Sequence, residues 1–343
     1  MRGIMMSKYR LLLTGCGSAG LCAVGVAEEA GRGKLAAIFD PREAAIKETL
    51  SLYPDAIPGD DYVQLLKDTK PDAVIIAGPD HLHAEQAVIA LEHGAHLLIE
   101  KPLSTTVADA RKIIAKAKET GLHVMVDHTE RYAWPNREIA LAAKEGRAGK
   151  IFFVQGDYAF DHWPWYSEKG EYYTPWRIDK NNPQNILFGG GYHYLDLMLW
   201  VVGSEVEEVY CYSNKFCAPE FPSDDCLILI FKFENGVLGK CFISCGCKHP
   251  GAAQRIEVFG TEGTLTGQAM LEKGRNGQEQ LEKITGELIG GHGWGETVIE
   301  FLDLLEGKIE NPIPATFAAK TVALCEAALK SLKSHKPEKP ERA

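Results

Sequence analysis

The stretch YRLLLTGCGSAG, residues 9–20, decides how the first part of the chain folds. It opens as a short apolar run and breaks into glycines at 15, 17 and 20, spaced as GxGxxG. An apolar run without polar alternation suits a strand buried on both faces, and a helical pattern follows from Ala19 to Ala30. Between strand and helix each glycine has its own use: a tight turn, a close backbone approach to a ligand, and close packing of helix on strand. The N–H groups that a helix start leaves unbonded suit a phosphate. This context, more than the glycines alone, points to a pyrophosphate cradle made by Gly15, Cys16, Gly17, Ser18, Ala19 and Gly20.

The same alternation continues downstream. KLAAIFD precedes a helical pattern over Pro41–Leu50, DAVIIAG one over His83–His93 and HLLIEKP one over Thr105–Thr120, while HVMVDH closes the series. Such a series is a doubly wound parallel sheet covered by helices, an α/β Rossmann domain placed here over residues 1–131. Asp40 ends the second apolar run, where a carboxylate accepts hydrogen bonds from an adenosine ribose and repels a 2′-phosphate. The expected cofactor is therefore NAD, with NADP less favoured; Pro41 and Arg42 follow, and Arg42 partly offsets the repulsion.

After Tyr132 the pattern changes. A helix over Glu138–Lys144 leads into alternating runs, IFFVQGDY, EEVYCYS, CLILIFKFENGVLGKCFISC and RIEVFGTEGTLTG, which imply an antiparallel sheet in an α+β domain over 132–343. Asn235 and Gly236 read as a two-residue hairpin turn with positive φ at both positions. Residues 268–293 read as an exposed polar excursion, Glu296–Leu305 and Thr316–Leu332 as closing helices, and the tail SHKPEKPERA as disordered.

Composition narrows the function. A chain of 343 residues, 45% hydrophobic, can fill two cores. Its net charge of -10 comes without a Lys/Arg block, which argues against nucleic acid as a partner. No apolar run reaches the length of a membrane span, and Leu11–Leu13 is too short for a signal-peptide core, so no membrane association is expected. Nine cysteines without paired CxxC units read as reduced thiols in a cytoplasmic protein, with no metal site.

Two clusters carry chemistry. EKPLS, residues 100–104, leaves an apolar run at the strand end where a doubly wound fold binds its ligand, so Lys101 can hold a substrate hydroxyl and ease its deprotonation. Pro102 is a candidate for a cis peptide. In GGGYHYLDLMLW, residues 189–200, a glycine turn starts a helix that carries His193 and, three residues on, Asp196. A histidine so placed can take a proton near neutral pH. Between them, YAFDHWPWYSEKGEYYTPWR brings Tyr158, Trp163, Trp165, Tyr166, Trp176 and Arg177 into one segment. Flat rings with polar tips suit a sugar equally as they suit packing of the loop, and Arg177 suits a substrate carboxylate or a structural ion pair. Trp294 and His292 in HGWGE either reach the same cleft or cap the next helix.

Taken together, GCGSAG, GPDHLHAEQAVIALEHGAHLLIEKPLS, VDHTERY, PWRID and GGGYHYLDL resemble the glucose-fructose oxidoreductase, inositol dehydrogenase and rhizopine-catabolism (Gfo/Idh/MocA) family from Leu11 to near Leu332. The resemblance implies a Rossmann domain, a second domain with an open, mostly antiparallel sheet, a homodimer or homotetramer, and NAD(P)-dependent chemistry on carbohydrate-like small molecules. It implies Lys101 and His193 as catalytic residues, and Pro79, His81, Glu100 and Lys101 as neighbours of the cofactor. Lys101, His128, Trp163, Trp176, Arg177 and His193 are the candidate substrate contacts. There is one departure: many members carry an Asp where this chain has Gly189. Either Lys101 and His193 suffice, or Asp127, Asp161 or Glu130 supplies the acid. The expected activity is hydride transfer between a sugar or polyol carbon and NAD. The alternative is a glycosidase or lyase that uses tightly bound NAD in a transient redox cycle.

Overall fold

The computed structural model describes residues 9–217, 221, 223–248, 253–267, 269–272, 280–283 and 293–342. It divides into two compact units, Met1–Thr129 with Ile289–Ala319 and Glu130–Leu288 with Lys320–Ala343.

The first unit is built on six strands, β1 (Tyr9–Thr14), β2 (Gly33–Phe39), β3 (Ile57–Gly59), β4 (Ala73–Ile76), β5 (His96–Glu100) and β6 (Val124–Asp127). They lie in the order β3-β2-β1-β4-β5-β6, all parallel. Helices α1 (Ser18–Glu29), α2 (Glu43–Leu52), α3 (Tyr62–Thr69), α4 (His83–Glu92) and α5 (Val107–Thr120) connect them. Strands β4 and β6 are buried at every residue, as an apolar run without alternation requires. The order of connection reverses between β1 and β4, so their carboxyl ends form the crevice where such sheets bind ligands.

The second unit carries α6 (Asn136–Lys144), β7 (Ile151–Ala159), α7 (Trp163–Tyr166), α8 (Tyr192–Val202), β8 (Val206–Asn214), β9 (Cys226–Phe233), β10 (Leu238–Ser244), β11 (Ala253–Gly260), β12 (Gly263–Thr266), β13 (Ala269–Glu272) and β14 (Gln280–Lys283). The eight strands form one sheet, β14-β13-β12-β11-β7-β10-β9-β8. Every pairing is antiparallel except β7 with β10. Alternation is clean on β9, where Leu227, Leu229, Phe231 and Phe233 are buried while Ile228, Ile230 and Lys232 are exposed. Helix α8 covers the buried face: a Cβ on Gly156 would stand 3.0 Å from both Tyr194 Cβ and Met198 Sδ.

Three expectations need correction. The expected second domain, 132–343, gives up 289–319 to the first unit, where α9 (Trp294–Leu305) packs on α1. Residues 311–314 cover the outer edge of β6: Val126 N–H donates to Ile313 O at 3.1 Å and Asn311 Nδ2 to Val124 O at 2.8 Å. An unpaired edge strand is thereby closed. The tail is ordered for the same reason. After α10 (Ala315–Ser334), Glu338 exchanges both backbone hydrogen bonds with Val209 on edge strand β8, each 2.9 Å, and Arg342 pairs with Glu205 and Glu234. The β9–β10 connection is a three-residue loop, not a two-residue turn: Gly236 alone takes positive φ, +87°, and its N–H donates to Phe233 O. A type I turn closed by a left-handed glycine needs nothing unusual of Asn235. The expected excursion over 268–293 lies largely outside the described residues, with β13 and β14 inside it.

Candidate active site

In the first unit the glycines divide their work as the spacing requires. Gly15 has φ +82°, and a Cβ there would lie 2.4 Å from Ala77 O, so no side chain fits. A Cβ on Gly20 would meet Gly15 O and Leu13 Cδ1, both at 2.7 Å, where α1 leans on β1. Gly17 differs, because a Cβ built on it meets nothing within 4 Å. It caps α1 without a side-chain hydrogen bond, and no acid stands in the first turn. Ser18 is exposed and Ala19 half-buried beside it. An open backbone surface at the start of a twelve-residue helix, free of carboxylates, fits a pyrophosphate.

Asp40 braces this cradle. Its Oδ2 accepts from Cys16 N–H at 2.8 Å and from Arg42 Nη2 at 2.8 Å, while Oδ1 accepts from Arg42 N–H at 2.8 Å and Nε at 3.0 Å. Burial alone would raise its proton affinity, but the hydrogen bonds from Arg42 and Cys16 outweigh it and hold the carboxyl below its usual value. Burial pushes the Cys16 thiol up, which suits a filler and not a nucleophile. Pro41 is exposed at the rim.

The second part of this site is the turn after β5. The Lys101–Pro102 peptide is cis. His83, 1% exposed at the start of α4, ties this turn to the loop after β4. Its Nδ1 lies 2.7 Å from Pro102 O and its Nε2 3.0 Å from Gly78 O. Both acceptors are carbonyls, so both contacts are hydrogen bonds when the ring carries two protons. Pro79 precedes the short turn Asp80–Leu82, in which His81 is exposed. Glu100, the last residue of β5, pairs in register with Asp127, the last of β6. Burial pushes both carboxyls up, Asp127 well above its usual value, and the charge of Glu100 further opposes the ionisation of Asp127. Trp294 on α9 hydrogen-bonds Glu100 and Thr297 hydrogen-bonds Asp127. His128, next along, is 2% exposed.

In the second unit His193 stands in the first turn of α8, 7% exposed. The glycines before it do not form a turn. Leu187–Gly191 is one turn of π-helix that runs directly into α8. Their role is close approach: a Cβ on Gly190 would lie 2.0 Å from the Tyr158 ring, and one on Gly191 2.2 Å from Ile243 Cδ1. Tyr158 thereby packs 6.4 Å from the His193 ring, centroid to centroid, and its hydroxyl is 3.0 Å from His162 Nε2. Burial raises the Tyr158 phenol far above its usual range, so it stays protonated.

Gln184 stands beside Gly189: a Cβ there would meet its amide at 3.0 Å. The amide Oε1 accepts from Tyr166 Oη at 2.9 Å and from Arg177 Nη1. The Arg177 guanidinium lies 4.8 Å from the Trp176 ring centroid. Trp163 is 44% exposed at the start of α7. Of the acids considered for the missing carboxylate, Glu130 Oε2 accepts from Asn136 at 2.7 Å and Asp161 Oδ1 from Trp163 N–H at 3.0 Å.

The structure thus gathers Gly15, Gly17, Gly20, Asp40 and Arg42 in one cradle, and Glu100, Lys101 and Asp127 at the ends of adjacent strands. Sequence reasoning missed His83, His162 and Gln184 as parts of these sites. A histidine opening the helix after GPD was a visible signal for His83; Gln184 had none. His292 lies outside the described residues, as do other parts of the chain; among the described residues no cluster of metal-ligating side chains occurs, and no helix is long and apolar enough to cross a membrane.

Residues 9–128 match the family model described as an oxidoreductase family with NAD-binding Rossmann fold, and residues 137–266 match the GFO/IDH/MocA C-terminal domain. The chain is 27% identical over 230 residues to 1,5-anhydro-D-fructose reductase of Ensifer adhaerens, covering 65% of each. It is 25% identical over 262 residues to rhizopine catabolism protein MocA of Rhizobium meliloti, covering 75% of this chain and 78% of that one. The match therefore spans less than two thirds of the reductase's own length. Among solved structures, the WlbA dehydrogenase of Bordetella pertussis in complex with NADH and UDP-GlcNAcA superposes with TM-score 0.81 at 22% identity, over 97% of this chain and 98% of that one.

Proposed function

This chain belongs to the Gfo/Idh/MocA oxidoreductase family, and from that premise we propose that it moves a hydride between a sugar, polyol or sugar-derivative hydroxyl carbon and NAD. The observation that carries this reading is the position of Lys101, directly after β5 in an NAD-binding Rossmann fold and fixed through the Pro102 carbonyl by His83. Support for the substrate class comes from relatives named for anhydrofructose and, in Thermotoga maritima, myo-inositol.

The cofactor, when bound, supplies the hydride acceptor. Gly15–Gly20 would hold its pyrophosphate on backbone N–H groups, and Asp40, at the end of β2, would take the ribose side. We assign NAD over NADP because the Arg42 guanidinium is occupied by Asp40. Lys101 Nζ donates to the substrate hydroxyl and stabilises the developing alkoxide. The imidazole of His193 takes the departing proton on a ring nitrogen, while Trp176 and Arg177 contact the substrate. Open-sheet residues Ile228, Ile230, Leu238 and Tyr212 form the surface through which we propose a homodimer or homotetramer, and unpaired cysteines suit the cytoplasm.

The test is NADH absorbance while purified protein and NAD are offered sugars, inositols and sugar acids. A rise with one of them supports net dehydrogenation. One observation favours a second reading: an amide, Gln184, stands beside Gly189 in place of a carboxylate. Consumption of a glycoside with NAD bound and no net NADH would establish the transient-redox hydrolase or lyase instead.

A further inference from the structure

Strand register places Glu100 and Asp127 abreast at the carboxyl ends of β5 and β6. Paired residues on adjacent parallel strands stand about 4.8 Å apart and project to the same side of the sheet. Asp127 is 2% exposed, and its Oδ1 has no hydrogen-bond partner among the described residues. The donors that do reach the pair are Trp294 at Glu100 and Thr297 at Asp127. Two like charges at this separation, one of them cut off from water, repel each other strongly, and the single ammonium of Lys101 offsets burial and repulsion only in part, since both carboxyls remain raised. The charged and titratable groups that face them are Lys101, which favours the ionised form of both carboxyls, His83, which acts on Glu100, and the Cys22 thiol on α1, which feels both carboxyls. Burial and mutual repulsion together keep Asp127 protonated where an exposed aspartate is ionised.

The pair sits where the fold presents ligands, beside the lysine assigned to the reaction. The nicotinamide ring is positively charged when oxidised and neutral when reduced. An added cation favours the ionised pair; its loss favours the shared proton. Resting on the function proposed above, we infer that Glu100 and Asp127 hold one proton between them and release it to solvent when the oxidised cofactor binds. The protonation of this pair is thereby linked to the cofactor's oxidation state. Asp127 acts as a positioning residue: its proton sets the charge beside Lys101 without touching substrate. Loss of the nicotinamide's positive charge on reduction would return one proton to the pair from solvent, while the substrate's hydroxyl proton leaves through His193 as proposed above.

Calorimetric titration of the full chain with NAD⁺ and with NADH, in two buffers of different ionisation enthalpy near neutral pH, measures the protons exchanged. The expected result is release of a substantial fraction of one proton with NAD⁺ and little with NADH. Asp127→Asn should abolish that difference while both cofactors still bind; should it fold poorly, Glu100→Gln should abolish the difference whatever its effect on cofactor affinity. Equal proton exchange with NAD⁺ and NADH, or a difference that persists in the variants, overturns the inference alone. Failure of any nicotinamide cofactor to bind overturns both it and the proposed function.

Discussion

The Asp196 carboxylate and the Arg131 guanidinium lie side by side in the second unit, with Nε–Oδ2 at 2.6 Å and Nη2–Oδ1 at 2.7 Å, both residues almost fully buried. Asp196 shares a helix with His193, three residues away, yet its two oxygens are committed to Arg131. It ties α8 to Arg131 and, through Thr321 Oγ1 at 3.4 Å, to α10. Removing one partner of such a buried pair strands a charge, at a cost of about 3–5 kcal/mol. Asp196→Ala should lower the denaturant midpoint strongly, whereas His193→Ala should leave the midpoint close to wild type and reduce turnover. Chemical denaturation of both variants separates the roles.

The proposed preference for NAD over NADP rests on Asp40. Its removal frees Arg42, which then meets a 2′-phosphate instead of a carboxylate. Asp40→Ala should weaken NAD and strengthen NADP, shifting the ratio of their Kd values at least tenfold, about 1.4 kcal/mol. Fluorescence titration with both cofactors checks this, and an unchanged ratio would show that the Arg42 guanidinium does not reach the phosphate.

Two glycines should answer substitution in opposite ways. Gly17→Ala places a methyl in open space at φ -88°, so the protein should melt as wild type and bind NAD more weakly. Gly190→Ala drives a methyl into the Tyr158 ring and should cost about 1–3 kcal/mol of stability. Thermal melts paired with NAD titration distinguish a surface kept for a ligand from one kept for packing.

Stability should depend on pH through Asp127. Its carboxyl lies above the usual value of 3.8 in the folded state, so folding binds a proton more tightly than the unfolded chain does. That contribution is full below 3.8 and is lost as pH rises through the folded value. Every tenfold change in proton affinity is worth about 1.4 kcal/mol. Asp127→Asn, which cannot ionise, should therefore melt above wild type at neutral pH, and the gap should close on acidification towards the usual carboxylate range. A gap that widens on acidification would contradict a protonated Asp127.

The sequence was most legible where local chemistry repeats. Unbroken apolar runs marked the strands of the parallel sheet, and the three glycines announced their separate roles because each role excludes a side chain in its own way. Alternation marked β7 to β12 equally well. What escaped depends on contacts far apart in the chain. Nothing in SHKPEKPERA says that an edge strand lies open to it, and its charge and prolines read as disorder until Glu338 meets Val209. Residues 311–314 return to β6 without any pattern of their own. Three glycines before His193 suggest a turn because glycine is common in turns, while Gly190 and Gly191 owe their place to the Tyr158 ring and Ile243 pressing on the helix. Gln184 beside Gly189 is likewise a matter of chain path.

In the proposed reaction Lys101 serves the chemistry and not the binding of the cofactor. The most direct measurement is turnover of Lys101→Ala beside wild type, on the first sugar, inositol or sugar acid that yields NADH, together with NAD affinity by fluorescence. NAD affinity should remain within about threefold while turnover falls by at least about a hundredfold. Turnover retained in the variant would remove Lys101 from the reaction and with it the account given of the turn after β5.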